Sequence, residues 1–414
     1  MLPLEGYRML DLSRLLPGPV ASNILADMGM EVIKVEETEP RYGMGRDVLT
    51  HPDPTPEQEV AWAAYNSLAR NKKSVALNLL DPDLRPASQE VFYRLAKDAD
   101  VVLEGYRPHV VKWMGVDYET VRRHNPRIIY CSISGYGQHG PYIKRAGHDP
   151  QYCAVAGTTP PASLEAGQRG HGVPLADYSA GIYAAVGILG ALIERDRSGE
   201  GQAIDIPMVA TAMSFTRANS ARFVREGSHH SGQGRAAGRF TYIQCSDGKY
   251  ITTSNAETHF WENFCRVIDR EVFIGLRDAV GPEVERMEEE VRAIFLTRTR
   301  DEWLRALWEA DTCAAPVNDM AEAMEDPQVR EAGMVWEVDH PSEGRVRQMG
   351  FPIGFSRTPA TFRNFAPTLG QDTQEVLQAA GYSDEEIAGL EARGIAKRWR
   401  GVPQEAPSGE TAGA

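Results

Sequence analysis

Residues 8–36, RMLDLSRLLPGPVASNILADMGMEVIKVE, decide the fold. Arg8 to Leu12 reads as a strand, Pro17-Gly18-Pro19 turns the chain, and Pro19 suits the first turn of a helix over Val20 to Met28. Glu31 to Glu36 reads as a second strand. The alternation continues with strands at Ser74 to Leu79, Val101 to Glu104 and Ile128 to Ser132, and helices at Arg85 to Lys97 and Val110 to Met114. Such a pattern implies a parallel sheet with crossover helices, a Rossmann-like α/β arrangement. No G-x-G-x-x-G follows the first strand, so a dinucleotide redox cofactor, and with it a dehydrogenase, is poorly supported.

Further along, Asp177 to Arg195 is apolar on most faces and reads as a buried central helix, with a strand at Ala203 to Ile206 after it. The composition then changes. Gly227 to Gly238 carries four glycines, two serines and two histidines and reads as a mobile loop or hinge. A small α+β unit follows, with a hairpin of Phe240 to Cys245 and Tyr250 to Thr253 turning at Ser246-Asp247-Gly248. Proline-rich strand pieces and two helices, Thr373 to Ala380 and Asp384 to Ala392, come last, before a tail that reads as disordered. The expected organisation is 1–225 as the first part of a large domain, 226–330 as a small domain, 331–396 returning to complete the large one, and 397–414 as tail.

The chain has 414 residues, 44 Lys+Arg against 58 Asp+Glu, and a net charge of −14. That field repels extended polyanions, which argues against nucleic-acid binding. No leader-like or membrane-spanning run is evident, so the expectation is an untargeted cytoplasmic protein. The five cysteines are scattered and lack C-x-x-C spacing, so neither a disulfide framework nor a metal site is indicated. An acidic protein can still hold an anionic ligand if its basic residues gather locally.

Such a gathering exists. Arg70-Asn71-Lys72-Lys73 forms a basic knot before a strand, which suits a phosphate grip as well as a solvated loop. Arg107 follows a strand end, where open α/β sheets bind ligands. Gly135-Tyr136-Gly137 lets backbone pass close to a ligand. Asp149 before Pro150 fits a helix N-cap, which leaves His148 unassigned. Asp177 opens the central helix, a position that stabilises a carboxylate and fits a cap or a nucleophile.

Taken together, Leu15-Leu16-Pro17-Gly18-Pro19, Val32-Ile33-Lys34-Val35-Glu36, Arg70-Asn71-Lys72-Lys73-Ser74, Glu104-Gly105-Tyr106-Arg107-Pro108, Gly135-Tyr136-Gly137-Gln138-His139-Gly140-Pro141 and Asp177 before an apolar helix resemble the family III CoA-transferases. That superfamily includes formyl-CoA transferase, carnitine CoA-transferase and α-methylacyl-CoA racemase. The resemblance implies a large Rossmann-like domain, a small inserted α+β domain, and an interlocked homodimer. It also implies coenzyme A as part of an acyl-CoA substrate, with Lys34, Arg70, Lys72, Lys73 and Arg107 as candidates to meet its phosphates and Gly135, Tyr136 and Gly137 beside it.

Two mechanisms follow from the resemblance. In a transferase, Asp177 attacks the thioester and CoA passes by way of an aspartyl anhydride and an aspartyl-CoA thioester to a free carboxylic acid. In a racemase, His148 and Asp177 act as a two-base pair on the α-carbon of a 2-methylacyl-CoA. Glu257 matches a small-domain position that faces the active site in both branches. Gly232 to Gly238 resembles the loop that shields transferase intermediates from water, and Leu16 stands where formyl-CoA transferases carry glutamine, against formyl or oxalate specificity.

Overall fold

A computed structural model of the chain describes residues 1–39, 55–159, 172–227, 242–279 and 281–401. The chain divides into two compact units, Met1–Ala218 with Ala332–Ala414, and Asn219–Glu331.

The first unit is built on a seven-stranded sheet. Its strands are β1 (Arg8–Asp11), β2 (Glu31–Glu36), β3 (Lys72–Leu77), β4 (Val101–Glu104), β5 (Ile129–Ser134) and β6 (Ala203–Pro207), joined by a late strand that is twelfth in the chain, β12 (Ala396–Lys397). The order is β12-β3-β2-β1-β4-β5-β6, parallel throughout except for β12, which runs antiparallel on β3. The chain order reverses between β1 and β4, so the loops after these two strands diverge at a crevice outside their C-terminal ends.

Both faces of the sheet are covered, which explains the near-continuous apolar strands. Leu10, Ile33, Val75, Val102 and Tyr130 face one core with helices Arg85–Ala96, Thr373–Ala379 and Asp384–Ala392. Met9, Val32, Val101, Ile129 and Cys131 face the other, under helices Pro17–Asp27 and Leu175–Ser198. Each fully buried aliphatic side chain contributes about 1.5–3 kcal/mol.

The long helix Leu175–Ser198 differs from its expected all-round burial. It packs its small residues, Ala176, Ala180, Gly181, Ala184 and Ala185, inward, while Ile182, Val186 and Ile193 are exposed. The reason is close approach: a Cβ on Gly181 would lie 2.7 Å from the Pro17 carbonyl oxygen, so the two helices meet almost backbone to backbone. This helix is long and apolar enough to cross a membrane by composition, yet half of its most apolar window is packed within the unit.

The second unit carries an antiparallel sheet of β7 (Ile243–Gln244), β8 (Tyr250–Thr253) and β9 (Ala314–Pro316). Its core is aromatic. Phe295 stacks on Trp303 at 4.7 Å and Trp261 on Phe264 at 5.5 Å, and both indole N–H groups donate to backbone carbonyls, Phe273 and Phe295. The proline-rich region downstream forms a hairpin of the first unit, β10 (Val335–His340) with β11 (Gly344–Met349).

Candidate active site

Four segments of the first unit converge at the C-terminal edge of its sheet. The loop after β1 turns sharply into helix Pro17–Asp27: Leu15 sits at φ +65°, and a Cβ on Gly18 would overlap the Ser13 side chain. A leucine in the left-handed region is held there only by its surroundings, a form of strain often found beside functional sites. The loop after β4 presents Tyr106 and Arg107, and the Arg14 guanidinium lies 4.3 Å from the centre of the Tyr106 ring, which ties the two diverging loops together. Arg107 is exposed, and among the described residues it makes no ion pair.

The third segment is the loop after β5. Tyr136, half-buried, packs edge-on against Tyr152 and Tyr142. Gly135 lies directly against the Tyr152 ring, with no room for a side chain. The loop ends at His148, which is exposed and precedes helix Asp149–Val155. The fourth segment is the start of helix Leu175–Ser198, where Asp177 is half-buried.

Asp149 does not cap its own helix, as its place before Pro150 suggested; His148 holds that position. Its carboxylate instead accepts the Ala176 N–H at 2.6 Å and the Asp177 N–H at 3.4 Å. The central helix needs this help because its own N-cap is Pro174, whose side chain cannot accept a hydrogen bond. Asp177 is therefore not the cap of its helix, and its carboxyl is free of that task.

The electrostatics follow from this arrangement. Burial, with the like charge of Asp149 beside it, pushes the Asp177 carboxyl up to about 6, while the nearby His148 works in the opposite direction. Burial likewise pushes the Tyr152 hydroxyl up to about 12, with Tyr136 and Asp177 adding to the effect and Arg107 opposing it. Asp177, His148, Asp149, Tyr152 and Arg107 thus share one electrostatic neighbourhood. Asp177 is a carboxylate at neutral pH, yet more basic than an ordinary one. That is the profile of an activated nucleophile or of a base.

The basic knot lies elsewhere. β3 begins at Lys72, so the backbone of Arg70 to Lys73 stands at the N-terminal edge of the sheet, although the Lys72 ammonium reaches inward to within 4.0 Å of Asp11, the last residue of β1. The Arg70 guanidinium is buried, pairs with Asp27 at 2.6 Å and lies 4.3 Å from the Trp336 ring. Lys72 is buried too and donates to Ser22 Oγ at 2.8 Å and the Pro19 carbonyl at 3.2 Å. Lys73 bridges Glu31 and Glu375. Lys34 is buried with its Nζ 3.7 Å from Glu36. Of the four cations expected to meet phosphate here, three are sealed in internal networks and the fourth is held by two carboxylates. A charge run shows where cations occur in the chain, and only partners such as Asp27, distant in sequence, decide which remain available.

Glu257 immediately precedes helix Thr258–Val267 in the second unit, exposed, with its charge close enough to Cys313 to act on that thiol. The Gly232 to Gly238 loop lies outside the described residues. Among the described residues no cluster of three or more His, Cys, Asp or Glu side chains is arranged to hold a metal ion. The capping role of Asp149 and the place of Tyr152 were missed in the sequence. The signal for the first was Pro174, since a helix that opens after a proline must find its acceptor elsewhere.

The profile of CoA-transferase family III matches residues 4–373. Human succinyl-CoA:glutarate CoA-transferase is 31% identical over 410 residues, 95% of this chain and 90% of that protein. Succinate–glutarate CoA-transferase of Agrobacterium fabrum is 31% identical over 393 residues, 91% of this chain and 95% of its own length. A solved CAIB/BAIF family protein from Brucella suis superposes with a TM-score of 0.76 at 26% identity, covering 92% of this chain and 99% of that one.

Proposed function

The chain belongs to CoA-transferase family III, and from that premise we propose that it moves CoA from an acyl-CoA thioester to a free carboxylic acid with Asp177 as covalent nucleophile. The carboxylate of Asp177 attacks the thioester carbonyl, the carbon–sulfur bond breaks, and an acyl-aspartyl anhydride and the CoA thiolate result. The thiolate then attacks the aspartyl carbonyl, which releases the donor acid as its carboxylate and leaves an aspartyl-CoA thioester. The acceptor carboxylate repeats the sequence in reverse and departs as its CoA thioester. No proton or electron is gained or lost overall. Each step trades one activated acyl bond for another, so none is steep.

The observation that carries this reading is the Asp177 carboxyl itself: relieved of capping by Asp149, half-buried, and held at about 6. A carboxylate more basic than the acids it exchanges is the better nucleophile among them. His148 supplies positive or hydrogen-bonding character beside it, suited to the oxyanions of the tetrahedral intermediates. Arg107, exposed on the turn after β4, is the cation we assign to the CoA phosphates. The relatives described above are named for CoA transfer and give the racemase alternative no support.

Their names make dicarboxylic acids the first substrates to try. Incubation with succinyl-CoA and glutarate should yield glutaryl-CoA by mass spectrometry. The same incubation in heavy water without acceptor should leave the acyl α-carbon unlabelled, and deuterium there would overturn the transferase reading.

We also infer that a second copy covers the exposed Ile182, Val186 and Ile193 face of the central helix, since an apolar stripe of that length is otherwise left in water. Light scattering should give twice the chain mass, and Val186→Glu should lower it to one.

A further inference from the structure

Glu104, the last residue of β4, is a fully buried carboxyl that the transfer chemistry does not use. Strand register places it beside Ser132 on β5, and Ser132 beside Asp205 on β6, so the three side chains form a row on one face of the sheet. One Glu104 oxygen accepts the Tyr106 N–H at 2.7 Å, and the Ser132 hydroxyl also bonds to the carboxyl. The other oxygen, Oε1, is buried without a partner. Among the described residues no lysine or arginine pairs with it. At the outer end of the row, Asp205 accepts the Gln138 N–H at 2.9 Å, and the Gln138 side-chain Nε2 is itself buried and unpartnered. The row therefore joins the turn that carries Arg107 to the loop that leads to His148.

We propose that Glu104 is a positioning residue for the CoA-binding turn and that its neutral form is the one that admits an anionic ligand at Arg107. The carboxyl fixes the turn by accepting the Tyr106 N–H two residues before the proline that starts the next helix, and this bond survives protonation because a carboxylic acid keeps its carbonyl acceptor. Ionisation adds a buried, cation-free negative charge two residues behind that one and beside Asp205, a charge that opposes every phosphate brought to Arg107. Burial, with the Asp205 charge as a lesser cause, pushes this carboxyl up to about 7, so the proton is exchanged near neutral pH. The other groups around it are Tyr130 and Cys131 on β5, whose own protons burial holds on, Asp117 beyond Tyr130, and Arg14, Glu37 and Asp11 around Tyr106.

This inference rests on the assignment of Arg107 to the CoA phosphates. The test is calorimetric titration of free CoA into the full-length wild type, Glu104→Gln and Glu104→Ala at pH 6 and pH 8. The CoA 3′-phosphate titrates alike against all three proteins, so differences between them report the side chain. Wild type should lose roughly threefold to tenfold more affinity than Glu104→Gln between the two pH values. Glu104→Ala, without an acceptor for Tyr106, should bind weakly at both. An equal pH response in wild type and Glu104→Gln, or wild-type affinity in Glu104→Ala, overturns the proposal. A second readout needs no ligand: the loss of the protonated-carboxyl infrared band from pH 6 to pH 8 should be smaller in Glu104→Gln than in wild type, the part that remains belonging to Asp177, and an equal loss in the two proteins overturns the proposal as well. Should wild type bind no CoA at either pH, the assignment of the CoA site falls, whatever the infrared band does.

Discussion

The two edges of the large sheet hold similar charges in opposite conditions. At the N-terminal edge, Arg70 is buried against Asp27 and Lys73 bridges two glutamates. At the C-terminal edge, Arg107 and His148 are exposed and Asp177 has no salt-bridge partner among the described residues. One edge uses charge to hold the fold and the other keeps it for a ligand. A charge that is already satisfied has little left to give.

Substitutions on each side can break this contrast, and the largest effect belongs to the crevice. Asp177→Ala should lower CoA transfer by about 10⁴-fold or more, with the melting temperature nearly unchanged, because a covalent nucleophile has no substitute. Retained transfer would show that Asp177 is not the nucleophile. Arg70→Ala should do the reverse. Leaving Asp27 buried and unpaired costs about 3–5 kcal/mol, seen in denaturant unfolding, while folded molecules keep their KM for acyl-CoA.

Arg107→Ala should raise that KM about tenfold or more through a lost charge-assisted contact, whereas Lys73→Ala should leave it unchanged. Equal effects of these two variants would erase the distinction between the edges. Acidity offers a finer probe. Since the Asp177 carboxyl is raised to about 6, the reactive carboxylate is lost as pH falls through that value, and kcat/KM should fall with it. Asp149→Asn removes the neighbouring like charge and keeps an acceptor for the Ala176 N–H, so the acidic limb should move to lower pH. The smallest effect is expected of His148→Ala: a loss of transfer below about tenfold, consistent with a supporting donor.

The sheet was readable because its evidence is local. Strand β2 spans Glu31–Glu36 and β4 spans Val101–Glu104, the bounds that their apolar runs suggest, and the helix Arg85–Ala96 between them ends one residue before the expected Lys97, whereas the helix Pro56–Tyr65, also between them, was not foreseen. Strand β9, only Ala314–Pro316, went unseen because three residues with a proline carry no period. The site was partly readable. Asp177 and His148 stand out by type and position, and in the structure the charge of one acts on the other. What sequence could not supply was partnership: that Asp149 serves a helix twenty-seven positions on, or that Asp27 neutralises an arginine forty-three positions away. Such pairings are set by tertiary packing, and no window along the chain contains them.

The last strand has a bearing on biosynthesis. β12 lies on β3 through Ala396 and Lys397, next to Asp372 and Thr373, which bond to Ser74 and Ala76, so the edge of β3 stays open until these late residues have left the ribosome. During that interval the nascent protein carries a parallel sheet with one bare, apolar margin, the kind of template that recruits another strand. Asn219–Glu331, with its own core, is complete well before then. A chain stopped before residue 364 would keep every residue of the crevice and still lack the segments that cover this edge of its sheet.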